Sequence, residues 1–206
     1  MAKDYRLKKE VLIRLQQLCP GDRFDSAGEG SNEVYDLELE IQDSLDKERR
    51  ARRLSGLSKP RWAFYALSEF NVNFKGDGLV TGIAINFPDL LADALLAAKH
   101  LKLQPVVRAL TPALKSLPAD FSRRTISARS RWFETPSGER AASSLERIEE
   151  KVYDAEDAIG GFVKACMELA LREPAEFFQI DDRKPSRPPA SPKRKKKTRV
   201  DRKRRS

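Results

Sequence analysis

The residues that could carry chemistry are few and scattered. His100 is the single histidine. It ends an apolar stretch with helical spacing, and a helix C-terminus favours a cation, so a capping or surface role outweighs a catalytic one. One histidine cannot build a His-type zinc cluster, and the two cysteines, Cys19 and Cys166, form no C-x-x-C pair. They read as ordinary reduced thiols, with Cys166 packed on a helix face, which fits a reducing cytosol. Glu69, Asp77, Asp154, Glu156 and Asp157 are the carboxylates that could form a paired acid site. Charges on helices more often make a solvated face. No G-x-S-x-G, Walker-type or dinucleotide glycine pattern occurs, and Gly76, Gly78 and Gly82 are spaced wrongly for G-x-G-x-x-G. No catalytic residue, metal site or cofactor is therefore expected.

Charge carries more information. The net charge of the 206 residues is +9, but it is not spread evenly. Residues 181–206 hold thirteen Lys or Arg against Asp181, Asp182 and Asp201, a net of +10, which leaves residues 1–180 with 27 bases and 28 acids. Two dense blocks stand out in that tail: Lys193, Arg194, Lys195, Lys196, Lys197, then Arg202, Lys203, Arg204, Arg205. Such density gives salt-sensitive, sequence-independent affinity for nucleic acid through counterion release. Without interleaved aromatics it offers no base stacking. The same blocks would serve as a nuclear import signal in a eukaryotic cell, or as a solubilising tail that binds an acidic partner.

At the other end, residues 25–48 hold nine acids (Asp25, Glu29, Glu33, Asp36, Glu38, Glu40, Asp43, Asp46, Glu48) and one base, Lys47. Aligned carboxylates could present a negative field to a basic protein. The plainer reading pairs them at i,i+4 spacing with Arg49, Arg50, Arg52 and Arg53. Residues 146–157 form a second, weaker acidic stretch.

The elements that must position these groups read as helices. Residues 5–18 space Leu7, Val11, Leu15 and Leu18 at helical intervals, before Pro20 and Gly21 open a loop over 20–31. Residues 34–41 alternate like a half-buried strand. Yet Val34, Leu37, Ile41 and Leu45 also share a helix face and run into strong helix formers, so a helix ending near Gly56 is expected. Pro60 opens the next helix, and residues 73–78 read as a turn. Residues 88–101 carry the clearest amphipathic stripe, Leu90, Leu91, Ala94, Leu95, Ala98 and Leu101. A helix over 106–117, bent at Pro112, follows. Residues 119–140 look irregular and basic. A long helical pattern from 145 to 171 is interrupted at Gly160 and Gly161. Beyond 181 only Val200 is a sizeable aliphatic residue, which predicts disorder. No run of about 18 apolar residues predicts a membrane span, and the N-terminus lacks the continuous apolar core of a signal peptide.

Residues 62–101 then take on a familiar form. Trp62, Ala63, Phe64, Tyr65, Ala66, Leu67, Ser68 and Glu69 make an aromatic helix carrying a glutamate. Asp77 and Gly78 make a turn, Asn86 follows, and an Ala/Leu-rich helix comes next. Over about residues 60–178, closing in the Glu168 to Phe177 stretch, this resembles the domain family of the bacterial DNA-mimic protein DMP19. Leu79 stands where that family has a second glycine, and Gly82 where it has glutamine. The resemblance implies an all-helical cytoplasmic domain and carries no catalytic residue; Glu69, Asp77, Gly78 and Asn86 are its motif positions.

The combined expectation is an all-α protein: one irregular multi-helix domain with a disordered basic C-terminal tail. An N-terminal segment (1–58) packs on the main domain (59–180), and the tail spans 181–206. The function expected is non-enzymatic: an interaction module for a protein partner, with nucleic-acid association through the tail, no membrane, and a homodimer compatible with the pattern. Cytoplasmic location follows, in association with the nucleoid or, in a eukaryote, within the nucleus. The alternative is an enzyme using carboxylates around the Glu69 to Asn86 turn.

Overall fold

Proline sets the start of five helices. Pro60, Pro88, Pro105, Pro136 and Pro174 each stand in a first turn, where the missing N–H would have had no partner. The computed structural model describes residues 6–9, 12, 13, 16, 29–52 and 57–181. The basic tail from 182 onward and Cys19 lie outside the described residues, as does most of the expected 20–31 loop. In chain order the elements are β1 (Arg6–Lys8), α1 (Glu29–Arg52), α2 (Lys59–Asp77), a π-helix (Gly78–Ile85), α3 (Pro88–His100) and α4 (Gln104–Lys115). A 3₁₀ turn (Phe121–Arg123), α5 (Ile126–Phe133), α6 (Pro136–Ala158), α7 (Phe162–Arg172), α8 (Pro174–Phe177) and β2 (Gln179–Asp181) follow.

The fold is all-α apart from one small parallel pair, β1 on β2, in the register Arg6 to Gln179, Leu7 to Ile180 and Lys8 to Asp181. That pair corrects the expectation of one helix over residues 5–18. A first helical turn leaves its N–H groups unpaired, whereas the ladder supplies partners from the end of the domain. Lys9, Leu12, Ile13 and Gln16 are helical. Leu12 is buried, and Gln16 Nε2 donates to the Leu171 carbonyl at 2.9 Å. The first and last described elements are thus tied together, and the described structure includes Asp181 in β2.

α2 is the centre of the molecule. Ala63, Phe64, Tyr65, Ala66, Leu67, Ser68, Phe70, Asn71 and Phe74 are all buried, so it is enclosed on most sides, as a helix without a single apolar stripe must be. It packs on α3, α7 and α1, while α4 packs on α6. Aromatic contacts bind these layers. Phe70 meets Phe162 of α7 with centroids 5.8 Å apart, Phe64 meets Phe177 at 5.4 Å, and Phe74 meets Tyr153 of α6 at 4.7 Å.

Residues 34–41 are helical, with Leu37, Ile41 and Leu45 buried on one face of α1. The interruption at Gly160 and Gly161 separates α6 from α7. Two expectations need correction. Residues 119–140 are not irregular: the Thr125 hydroxyl accepts the Ala128 N–H to start α5, and Thr135 accepts the Gly138 N–H to start α6. Phe121, Trp132 and Phe133 then form a mutual edge-on triad, centroids 5.0 to 5.7 Å apart. Nor does the turn begin at Asn73. α2 continues through Asp77, because the Phe74 carbonyl still finds a partner in the Gly78 N–H.

Candidate functional site

The reversal sits at Gly78, whose φ of 70° is left-handed and favours glycine. The chain then runs as a π-helix over Gly78–Ile85, a form that recurs at functional sites. Glu149 of α6 holds its start: Oε2 accepts the Leu79 N–H at 3.0 Å. Gly82 packs this segment back on α2, since a Cβ there would stand 2.2 Å from the Asn73 carbonyl oxygen. The fold-back delivers Asn86 and Phe87 beside α2 and aims the N-terminus of α3 the same way.

A cavity of about 260 Å³ results. Trp62, Tyr65, Ala66 and Glu69 of α2 form one wall, and Asn86, Phe87, Pro88, Asp89, Leu90 and Asp93 another; Ser122 and Arg129 close it. Of the four motif positions, Glu69 and Asn86 converge here. Asp77 is exposed at the end of α2 and Gly78 lies under Glu149, so neither is among the lining residues.

Arg129 was hidden in the basic stretch. It is 6% exposed. Its Nε donates to the Ile85 carbonyl at 2.6 Å, and Nη1 donates to the carbonyls of Ser122 and Arg124. One guanidinium therefore joins the end of the π-helix, the 3₁₀ turn and α5. Its hydrogen bonds go to backbone carbonyls, and no ion pair of Arg129 with a carboxylate within 4 Å occurs among the described residues. The Thr125 cap four residues upstream, a threonine before a helical run, was the signal that could have placed Arg129 on a helix.

Behind Glu69 runs a polar chain into the core. Gln42 Nε2 donates to Glu69 Oε1 at 2.8 Å. Gln42 Oε1 lies 3.0 Å from the Ser68 hydroxyl, which also contacts the Glu38 carboxyl. Glu38 is buried, and burial raises its carboxyl above the ordinary glutamate value against the smaller opposing pull of the Ser68 bond. Cys166 is fully buried with Sγ 3.7 Å from the Phe64 carbonyl. Burial first, and the Glu38 charge second, push its thiol well above the ordinary range. That environment suits a packed thiol and disfavours the thiolate a nucleophile needs.

A second, shallower depression of about 470 Å³ lies between α1 and α2, lined by Leu39, Glu40, Gln42, Asp43, Asp46, Glu69 and Val72. Leu39 is 40% and Val72 52% exposed. The part of the acidic stretch that the structure describes in detail thus splits in two. Glu38 points into the core; Glu40, Asp43 and Asp46 rim the groove. Lys47 pairs with Asp43 at 3.5 Å on the surface, whereas the side chains of Arg49, Arg50, Arg52 and Arg53 lie outside the described residues. The weaker acidic stretch is structural in part: Glu149 caps Leu79, and the buried Glu156 accepts an ion pair from Lys75 at 2.7 Å.

His100 is exposed in the last turn of α3. No cluster of three metal-ligating side chains occurs among the described residues, and no single helix among them is long and apolar enough to cross a membrane. Lys193, Arg194, Lys195, Lys196, Lys197, Arg202, Lys203, Arg204 and Arg205 lie outside the described residues. Comparison with protein-family models, with curated proteins and with solved structures found no match.

Proposed function

We propose that this chain is a non-enzymatic interaction module that binds a protein partner through the groove between α1 and α2, and that its basic tail adds non-specific nucleic-acid association. The observation that carries the reading is the composition of that groove. Two aliphatic side chains, Leu39 and Val72, are held half in water beside Glu40, Asp43, Asp46 and Glu69. Exposed apolar groups inside a polar rim are what a partner surface desolvates, and the excess of carboxylates on the rim, of which Asp43 is paired with Lys47, favours a basic partner and speeds its encounter. The resemblance to the DMP19-like family, whose namesake is a DNA mimic, points the same way: a carboxylate-rimmed helical face suits a protein that otherwise grips phosphates.

The test is an affinity capture from the native cell with full-length protein as bait, repeated with Glu40→Lys plus Asp43→Lys. Both side chains are exposed, so the fold should tolerate the change. A basic protein retained by the wild type, released by moderate salt and lost with the double variant supports the reading. Identical capture by both baits overturns it.

A further inference from the structure

We propose that the basic tail of this chain docks on its own groove between α1 and α2, so that residues 193–205 and an outside partner compete for one face. This rests on the reading of that groove as a docking surface and names its resident occupant. Leu39 and Val72 stand half in water among Glu40, Asp43, Asp46 and Glu69. Asp46 and Glu69 have contacts within the chain, and Asp43 meets Lys47 in an exposed i,i+4 pair at 3.5 Å. Such a pair is weak and exchanges readily, and the face keeps an excess of carboxylates. Its occupant must cover two aliphatic side chains and bring positive charge beside them. A lysine or arginine does both, laying its stem on apolar surface while its head stays at the polar rim. Residues 193–197 and 202–205 supply nine of them.

The tail is also rooted beside the groove. Phe177 of α8 shares a small void with Ile41, Ser44 and Leu45 of α1, on the same turns that line the groove, and β2 ends four residues later at Asp181. Lys193 is the twelfth residue beyond Asp181, a span of up to about 40 Å. A helix with its side chains is only about 10–12 Å across, so both blocks reach the groove with slack. A segment tethered at that range acts at a roughly millimolar effective concentration. Docking shields the cations that would otherwise grip phosphates. Nucleic acid that engages the tail therefore uncovers the groove for the protein partner, which couples the two bindings positively.

The test uses purified full-length protein without a partner, so its outcome is independent of the capture experiment. A water-soluble carbodiimide joins lysine amines to carboxylates, and the monomeric product is digested and read by mass spectrometry. Links from Lys193, Lys195, Lys196, Lys197 or Lys203 to Glu40 and Asp43 are expected in low salt. They should vanish in about 1 M salt, where charges are screened beyond about 3 Å. Tail links spread evenly over carboxylates exposed elsewhere, such as Glu139, Glu146 and Glu150, overturn the proposal. So do groove links confined to a cross-linked dimer, or no tail links at all. A second readout is affinity for a short DNA duplex. Glu40→Gln plus Asp43→Asn frees the tail, whereas Glu146→Gln plus Glu150→Gln removes the same charge away from the groove. The first variant should bind about threefold more tightly than the second in low salt, the gain expected when two tails in three are docked. Equal affinity overturns docking; if neither variant binds DNA, the cross-links decide.

Discussion

The Ser68 hydroxyl stands between the buried Glu38 carboxyl and the Gln42 amide oxygen, and it has one proton to give. The Gln42 orientation is set by its Nε2, which donates to Glu69. If Glu38 were ionised it would accept the one hydrogen bond Ser68 can donate, leaving the Ser68 and Gln42 oxygens facing each other as two acceptors at 3.0 Å. If Glu38 is neutral it donates to Ser68, Ser68 donates to Gln42, and every atom is satisfied. Burial favours the same neutral form.

The pH dependence follows from that direction. A carboxyl whose folded pKa is raised contributes stability that is fully present below the ordinary glutamate value and lost as pH rises through the folded value. Glu38→Gln, which keeps a neutral donor, should therefore gain on the wild type as pH rises from about 4 to 8. Urea unfolding of both proteins across that range reads the difference; a constant offset would refute the assignment. Glu38→Ala should cost about 1–3 kcal/mol at acidic pH, because Ser68 loses its buried partner.

Glu149 should behave as a cap. Glu149→Ala removes the carboxylate from the Leu79 N–H and is expected to cost about 0.5–2 kcal/mol. Gly82→Ala should cost more, about 3 kcal/mol, because its Cβ would meet the Asn73 backbone, which has no side-chain freedom to yield. Chemical denaturation measures both. A glycine variant as stable as the wild type would mean that the π-helix does not pack on α2.

Cys166 should be silent in the native state. In a Cys19→Ser background, a thiol reagent such as dithionitrobenzoate should react only as fast as the protein opens, since the thiol is buried and its pKa is raised. Adding denaturant should release the reactivity in step with the loss of helical signal. Rapid reaction of the native protein would place Cys166 on a surface.

How far the fold could be read in advance depended on how local its causes were. The stripe of α3 and Pro60 at the start of α2 are local, and they read correctly; Pro136 and Pro174 open helices where the sequence suggested a turn and a helix end. The helix over residues 34–41 also read correctly, where Leu37, Ile41 and Leu45 outvoted the alternation. Glu38 did not: nothing in its neighbours shows that Ser68, thirty positions on in the chain, would draw it inward. Arg129 was lost for the same reason, since the three carbonyls that bury it come from separate elements. Glu149 looked like one acid in an acidic run until the Leu79 N–H was placed beside it. The motif glutamate and asparagine, Glu69 and Asn86, do line one cavity, but only because Gly78 and Gly82 turn the π-helix back over α2. The pattern marked the turn a few residues early.

The tail is the last quantity to test, and β2 sharpens the boundary. Because Gln179–Asp181 pairs with Arg6–Lys8, a truncation should keep residue 181; cutting earlier removes a strand along with the charge. Full-length protein and a 1–181 form are compared for binding to a short DNA duplex across a salt series. The full chain should bind with a steep negative slope of log affinity against log salt, near −0.9 for each phosphate neutralised. The truncated form, with the near-neutral body, should bind far more weakly and with a shallow slope. Equal slopes would assign the phosphate contacts to the helical body, where Arg108, Lys115, Arg131, Arg140 and Arg147 are exposed, and would remove the tail from the proposed function.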